Sequence, residues 1–302
     1  MLEYAQGVIN VLEKDIFDKL DQERMINSSN REEAFKVLFD TDMAEIAAKE
    51  DKLENILEQD MQNLKDILSG MLKETQPELF CFLFLKFDAL NLKIILKERS
   101  DIFFSYSLVP FNRMKLSLEG KANLQNEHVE ELVKASLSNK GSVDERVDKA
   151  YLESKLKIAK KIKGFPLRIT KFEIDVINLK NMIKEKKDFL KGGNLSRSDL
   201  LKVLGKKKGM ISRGLERFLE AFDLSLIINR FQANKDESEL EKGLERFLAE
   251  TVLRKEREGG GMEKVMGFFF RKVNSHSNIR LIFFQKDSGI PIEEIKNNLL
   301  PI

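Results

Sequence analysis

The sequence is poor in residues that make crosslinks, metal clusters or stacking platforms. Cys81 is the only cysteine, which excludes an internal disulfide and a cysteine-built zinc site. The two histidines, His128 and His276, lie far apart with no HExxH-like spacing, which argues against a histidine metal cluster. There is no tryptophan, only three tyrosines and five prolines, so both strand formers and helix breakers are scarce. Long apolar runs are missing too. The stretches around 80–85 and 266–270 fall well below the roughly 20 residues that span a bilayer. The first seventeen residues carry Glu3, Glu13 and Asp15 and no basic start, which does not fit a signal peptide, and the single cysteine reads as that of an intracellular chain.

What the chain does have is charge and helix-forming apolar residues. Charged residues make up 34% of the 302 and hydrophobic ones 42%, which excludes a disordered polyelectrolyte and leaves material for a core. The net charge is only +2, yet residues 1–80 are net −10 and residues 151–217 net +12. One reading is that solvated helix faces neutralise each other. The other is a basic surface for nucleic acid, anionic lipid or an acidic protein.

Apolar spacing of three and four predicts helices throughout. Leu53, Ile56, Leu57, Met61, Leu64, Ile67, Leu68, Met71 and Leu72 form one stripe of about five turns. Capping boxes are expected at Ser29–Glu32, Thr75–Glu78, Ser142–Glu145, Thr170–Glu173 and Ser196–Asp199, with Gly164 and Pro166 ending the helix before Thr170. Lys191–Asn194 reads as a turn, 205–209 as a basic loop, 212–256 as long helices, and Gly259–Gly261 as a flexible joint. Sustained period-2 alternation is missing, so the fold class is all-α.

Three segments share a local frame. Asp88, Asn91, Leu92 and Lys93 correspond to Asp175, Asn178, Leu179 and Lys180, and to Ser275, Asn278, Ile279 and Arg280. Apolar residues follow four and five positions after each Asn. Asparagine is a mediocre helix-interior residue, so three in one frame imply a supersecondary unit used three times. At i and i+3 the polar pair shares one helix face, which places the Asn to bond a neighbouring helix. The primary expectation for these six positions is a structural role.

With Phe172–Ile183, Phe87–Leu96, the capped stretch Leu20–Thr41 and the ending Met266–Lys296, the chain resembles the C subunit of prokaryotic V/A-type rotary ATPases, called subunit d in eukaryotic vacuolar ATPases. It departs from that pattern at Ser275, where an acidic residue is usual, and at Leu300–Ile302, which lack the usual aromatic. The resemblance implies one all-helical, funnel-shaped body over 1–302 with pseudo-threefold symmetry and repeat lobes near 1–105, 106–200 and 201–302. It implies a non-catalytic rotor adaptor without cofactor or metal, peripheral on the cytoplasmic side of the membrane. Its partners would be the central-shaft subunits and the membrane proteolipid ring, with torque passing between them. Lys93, Lys180 and Arg280 are then candidate partner contacts.

Two rivals start from the same residues. The clusters Lys155–Lys163, Lys184–Lys191 and Lys206–Lys208 could bind nucleic acid, although no reading module and few stacking residues accompany them. An enzyme is disfavoured: Gly205–Gly209 lacks the P-loop order, Gly259–Gly261 lacks a preceding strand, and Cys81 sits in an apolar run. A helical-repeat scaffold unrelated to the ATPase would share the fold and differ in partners.

Overall fold

The computed structural model describes residues 2–99, 103–138, 140–184, 189–203, 227, 230, 233–234 and 236–302. Among them there is no strand, and the protein is all-α. In chain order the helices are α1 (Leu2–Leu12), α2 (Lys19–Asn27), α3 (Arg31–Lys36), a 3-10 turn Val37–Asp40, α4 (Ala44–Ala47), α5 (Leu53–Leu72), α6 (Pro77–Leu96) and α7 (Phe111–Leu118). There follow α8 (Glu127–Ser138), α9 (Val143–Ile162), α10 (Gly164–Ile183), α11 (Arg197–Val203), α12 (Glu237–Glu258), α13 (Gly261–Ser288) and α14 (Ile292–Asn298). The chain divides into two compact units, one of residues 49–170 and one of 2–48 with 171–302.

In the first unit α6 is the central element. It buries residues on every side, including Leu79, Phe82, Leu83, Phe84, Leu85, Phe87 and Leu92, so its sequence is apolar all round rather than striped. Helices α5, α7, α8 and α9 pack against it. Helix α5 keeps the expected stripe: Leu53, Ile56, Leu57, Met61, Leu64, Leu68 and Leu72 are buried. In the second unit α13 takes the central place, with α1, α2, α3, α12 and α14 against it. Its close approaches need glycine. A Cβ on Gly261 would stand 2.6 Å from the Leu2 carbonyl oxygen, and one on Gly267 2.4 Å from the Glu256 side chain. The triplet Gly259–Gly261 therefore closes α12 and opens α13 at a packed contact, where a flexible joint was expected.

The capping expectations divide. Ser142 and Glu145 form the full reciprocal box of α9, and Ser196 and Asp199 do the same for α11. At α3 the cap is Asn30, one residue later than expected, and its side chain accepts from the Glu33 amide. Thr75 caps nothing, because its hydroxyl donates back to the Met71 carbonyl, and Pro77 supplies the first turn of α6 instead. Thr170 lies inside α10, donating to the Pro166 carbonyl. Gly164 and Pro166 thus begin a helix, in whose first turn proline is tolerated. The break before it is made by Lys163 and Gly164, with φ of 66° and 56°. Most of 205–232 lies outside the described residues, and α12 begins at Glu237.

Candidate functional site

The repeated motif falls on three long helices. Asp88 and Asn91 lie on α6, Asp175 and Asn178 on α10, and Ser275 and Asn278 on α13, and all six are buried. A buried polar side chain is costly unless its hydrogen bonds are made. Here they are made to the backbone of a loop that comes back over the helix, which we call a latch.

On α6, the Asn91 amide nitrogen donates to the Phe104 carbonyl at 2.9 Å, and its oxygen accepts from the Phe104 amide at 2.8 Å. The side-chain amide offers one donor face and one acceptor, as a peptide unit does, so it pairs with one loop residue as a neighbouring strand would. Asp88 then accepts from two consecutive amides, Leu108 and Val109, both at 2.9 Å. The ring of Phe87 packs edge-on against Tyr106 with centroids 4.6 Å apart, which seals the loop over the helix.

On α10 the same arrangement recurs. Asn178 exchanges hydrogen bonds of 2.9 and 2.7 Å with the backbone of Leu190. Asp175 accepts from the amides of Asn194 at 2.9 Å and Leu195 at 3.0 Å. In both latches the residue held by Asn precedes the pair held by Asp by four and five positions. Gly193 is required here, because a Cβ would stand 2.0 Å from an Asp175 oxygen.

On α13, Asn278 exchanges bonds of 2.8 Å with Leu300 and donates to Gln22 of α2 at 2.7 Å. Asn274 adds a bond to the Pro301 carbonyl at 2.8 Å. Ser275 donates to the Phe17 carbonyl across 3.4 Å, a long and weak contact. The expectation of Asn-to-helix bonding therefore describes the Gln22 contact of Asn278. Asn91 and Asn178 bind loop backbone, because a loop packed against a helix has unpaired peptide groups that need partners.

Burial pushes the Asp88 carboxyl up to about 7, against the opposing pull of the Leu108 and Val109 amides and the charge of Lys65. Burial likewise raises Asp175 to about 6, opposed by the Leu195 and Asn194 amides.

Two of the three cations that follow the Asn residues lie beside carboxylates. Lys93 reaches Asp148 at 2.6 Å and Asp144 at 3.7 Å, both on α9. Lys180 stands 3.4 Å from Glu245 on α12. Arg280 is half-buried on α13. Several other cations of the basic middle segment are also engaged. Lys155 is buried over the rings of Phe82 and Tyr151, Lys157 pairs with Glu131, and Lys184 with Glu241. Cys81 is half-buried, and burial pushes its thiol up to about 11, which leaves it protonated.

A charged cluster in the second unit had no sequence signal. Arg271 bonds both Glu13 and Glu256, and Lys264 reaches Glu13 at 2.5 Å. Glu256 is buried, and that burial raises its carboxyl despite the nearby Arg271. Gly267 lets the Glu256 chain lie flat on α13. Four charges from two helices and a loop, up to 258 positions apart, leave no local pattern to read.

Helix and latch together define an all-helical protein whose repeated residues fasten loop backbone to buried helices. The chain belongs to the family of the ATP synthase (C/AC39) subunit, whose model matches residues 5–298. This agrees with the resemblance carried by the repeat, and the family is that of a structural subunit of the V/A-type ATPases. No curated protein matches the chain. Among the described residues no helix is long and apolar enough to cross a membrane.

Proposed function

We propose that the protein is the non-catalytic rotor adaptor of a V/A-type ATPase. It would join the central shaft of the soluble motor to the membrane proteolipid ring and carry torque between them. The family match over nearly the whole chain is the observation that supports this most. The latches are consistent with it. A part that passes on torque needs its loops tied to its helices, and a latch does so through backbone bonds that do not depend on the loop's own side chains. The reading includes three helical lobes around a pseudo-threefold axis, one latch helix in each, and a peripheral position on the cytoplasmic side. Contacts to the shaft would be many screened charge pairs, in which Lys93, Lys180 and Arg280 are candidates.

Affinity capture of the tagged chain from its source cells in mild detergent, with mass spectrometry of the bound proteins, tests the proposal. The expected result is recovery of shaft subunits together with the small proteolipid. Recovery of neither, with a free monomer or bound nucleic acid instead, would show that the family fold serves another partner.

A further inference from the structure

The first unit contains a polar cluster that the latches do not use. It lies where the ends of three helices meet. Glu78 is in the first turn of α6, Glu127 and His128 are in the first turn of α8, and Lys161 is in the last turn of α9. The His128 ring is 8% exposed, and its Nε2 stands 2.7 Å from Glu78 Oε2 and 3.7 Å from Glu127 Oε1. One ligand atom from each of the three residues lies within 4.8 Å of the others. Glu78 Oε2 is sealed from solvent, and its one polar neighbour, the His128 ring nitrogen at 2.7 Å, makes no aligned hydrogen bond to it. A buried carboxylate oxygen without an aligned donor is rare in a folded protein, and a cation shared with the His128 nitrogen would satisfy it.

We propose that Glu78, Glu127 and His128 form a binding site for a divalent transition-metal ion, and that the ammonium of Lys161 holds the same place when the ion is gone. An imidazole with two carboxylates is a donor set suited to Zn²⁺, Mn²⁺ or Fe²⁺. Metal–ligand bonds of about 2.0–2.1 Å set ligand atoms about 3.3 Å apart in a tetrahedron, within a small side-chain adjustment of the distances present. Lys161 Nζ bridges Glu78 at 2.9 Å and Glu127 at 3.1 Å, so a positive charge is already held between the two carboxylates. Its side chain is 50% exposed and can turn out to solvent when a stronger cation arrives. Glu127 is 76% exposed, which leaves the outer coordination position to water. Cys81 is not a ligand. Its sulfur takes a contact from the Asn126 amide at 3.9 Å and lies outside the three-residue ligand group.

The proposal is independent of the rotor assignment. The test is a Co²⁺ titration of the tag-free full-length chain, followed by visible absorption, with Zn²⁺ then added in competition. The expected result is one equivalent per chain, with d–d bands of a low-coordinate site and no sulfur charge-transfer band. Binding should weaken about tenfold or more in E127Q, whose exposed side chain leaves the fold intact, and disappear in H128A. In K161M it should tighten by about tenfold, as the competing charge is removed. Absence of one-equivalent binding in the native chain overturns the proposal, even if K161M binds. So does binding that neither E127Q nor H128A changes.

Discussion

On α6 and α10 an aspartate stands three residues before the asparagine and takes two consecutive loop amides. On α13 Ser275 stands there and makes one long contact to Phe17, while Asn274 and Asn278 between them hold Leu300 and Pro301. The asparagine is thus the common element, and the acid is a second fastening that two of the three sites add. A side-chain amide can pair with one peptide unit in either direction. A carboxylate can only accept, so it suits a turn where two amides point the same way.

This comparison can be broken by experiment. The largest effect is expected from Asn91→Leu, which leaves the Phe104 amide and carbonyl without partners beneath the Phe87 and Tyr106 rings. Denaturant unfolding should show a loss of about 3 kcal/mol. Asn178→Leu should match it, and an unchanged stability in both variants would remove the latch from the account of the fold. Gly193→Ala forces a methyl group onto Asp175 and should cost about 2 kcal/mol, with faster hydrogen exchange at the Leu195 amide as the local sign. If exchange there is unaltered, the close approach is not a constraint.

The acid itself has a pH signature. Asp88 has a folded-state value near 7, raised from an ordinary 3.8. Its contribution to stability is therefore complete below about pH 4 and is lost as pH rises toward 7, by up to about 1 kcal/mol per pH unit. Asp175, near 6, acts over a narrower window with the same sign. The gap in stability between the native chain and Asp88→Asn should narrow between pH 5 and pH 8. A gap that widens would mean the two amides, not burial, dominate.

Lys93→Glu faces two partly exposed aspartates and should cost about 1 kcal/mol or less. If it instead releases the shaft while thermal unfolding is unchanged, Lys93 is a partner contact. The smallest effect belongs to Ser275→Ala, below about 0.5 kcal/mol, since its hydroxyl bond is long. A loss as large as that of Asn91→Leu would place the third site on a par with the other two.

Much of the helix pattern was legible in sequence, because a one-sided stripe such as Leu53–Leu72 has period 3.6. The repeat was legible because an asparagine is misplaced in a helix unless something holds it there. Its partners were not legible. Phe104, Leu190 and Leu300 are held through their amide and carbonyl groups, which every residue has, so no side-chain pattern marks them. The mistaken caps have a similar cause. Thr75 and Thr170 satisfy the S/T-x-x-E pattern, but each hydroxyl returns to a carbonyl four residues back, a bond that sequence spacing cannot separate from capping. Glu78 and His128 meet only because α6 and α8 start at one end of the first unit, which no local spacing between them records.

The latch also bears on how this protein can change. Its grip on a loop falls mainly on backbone groups, with Tyr106, Ser107 and Gly193 the loop residues whose own identity matters. The exposed positions within 103–109 and 189–195 could thus be rewritten for a new neighbour while the anchoring stays with two positions on a buried helix. Drift in the loops and permanence in the helix can coexist in one chain, and a surface that must match a partner can follow that partner without the core being touched.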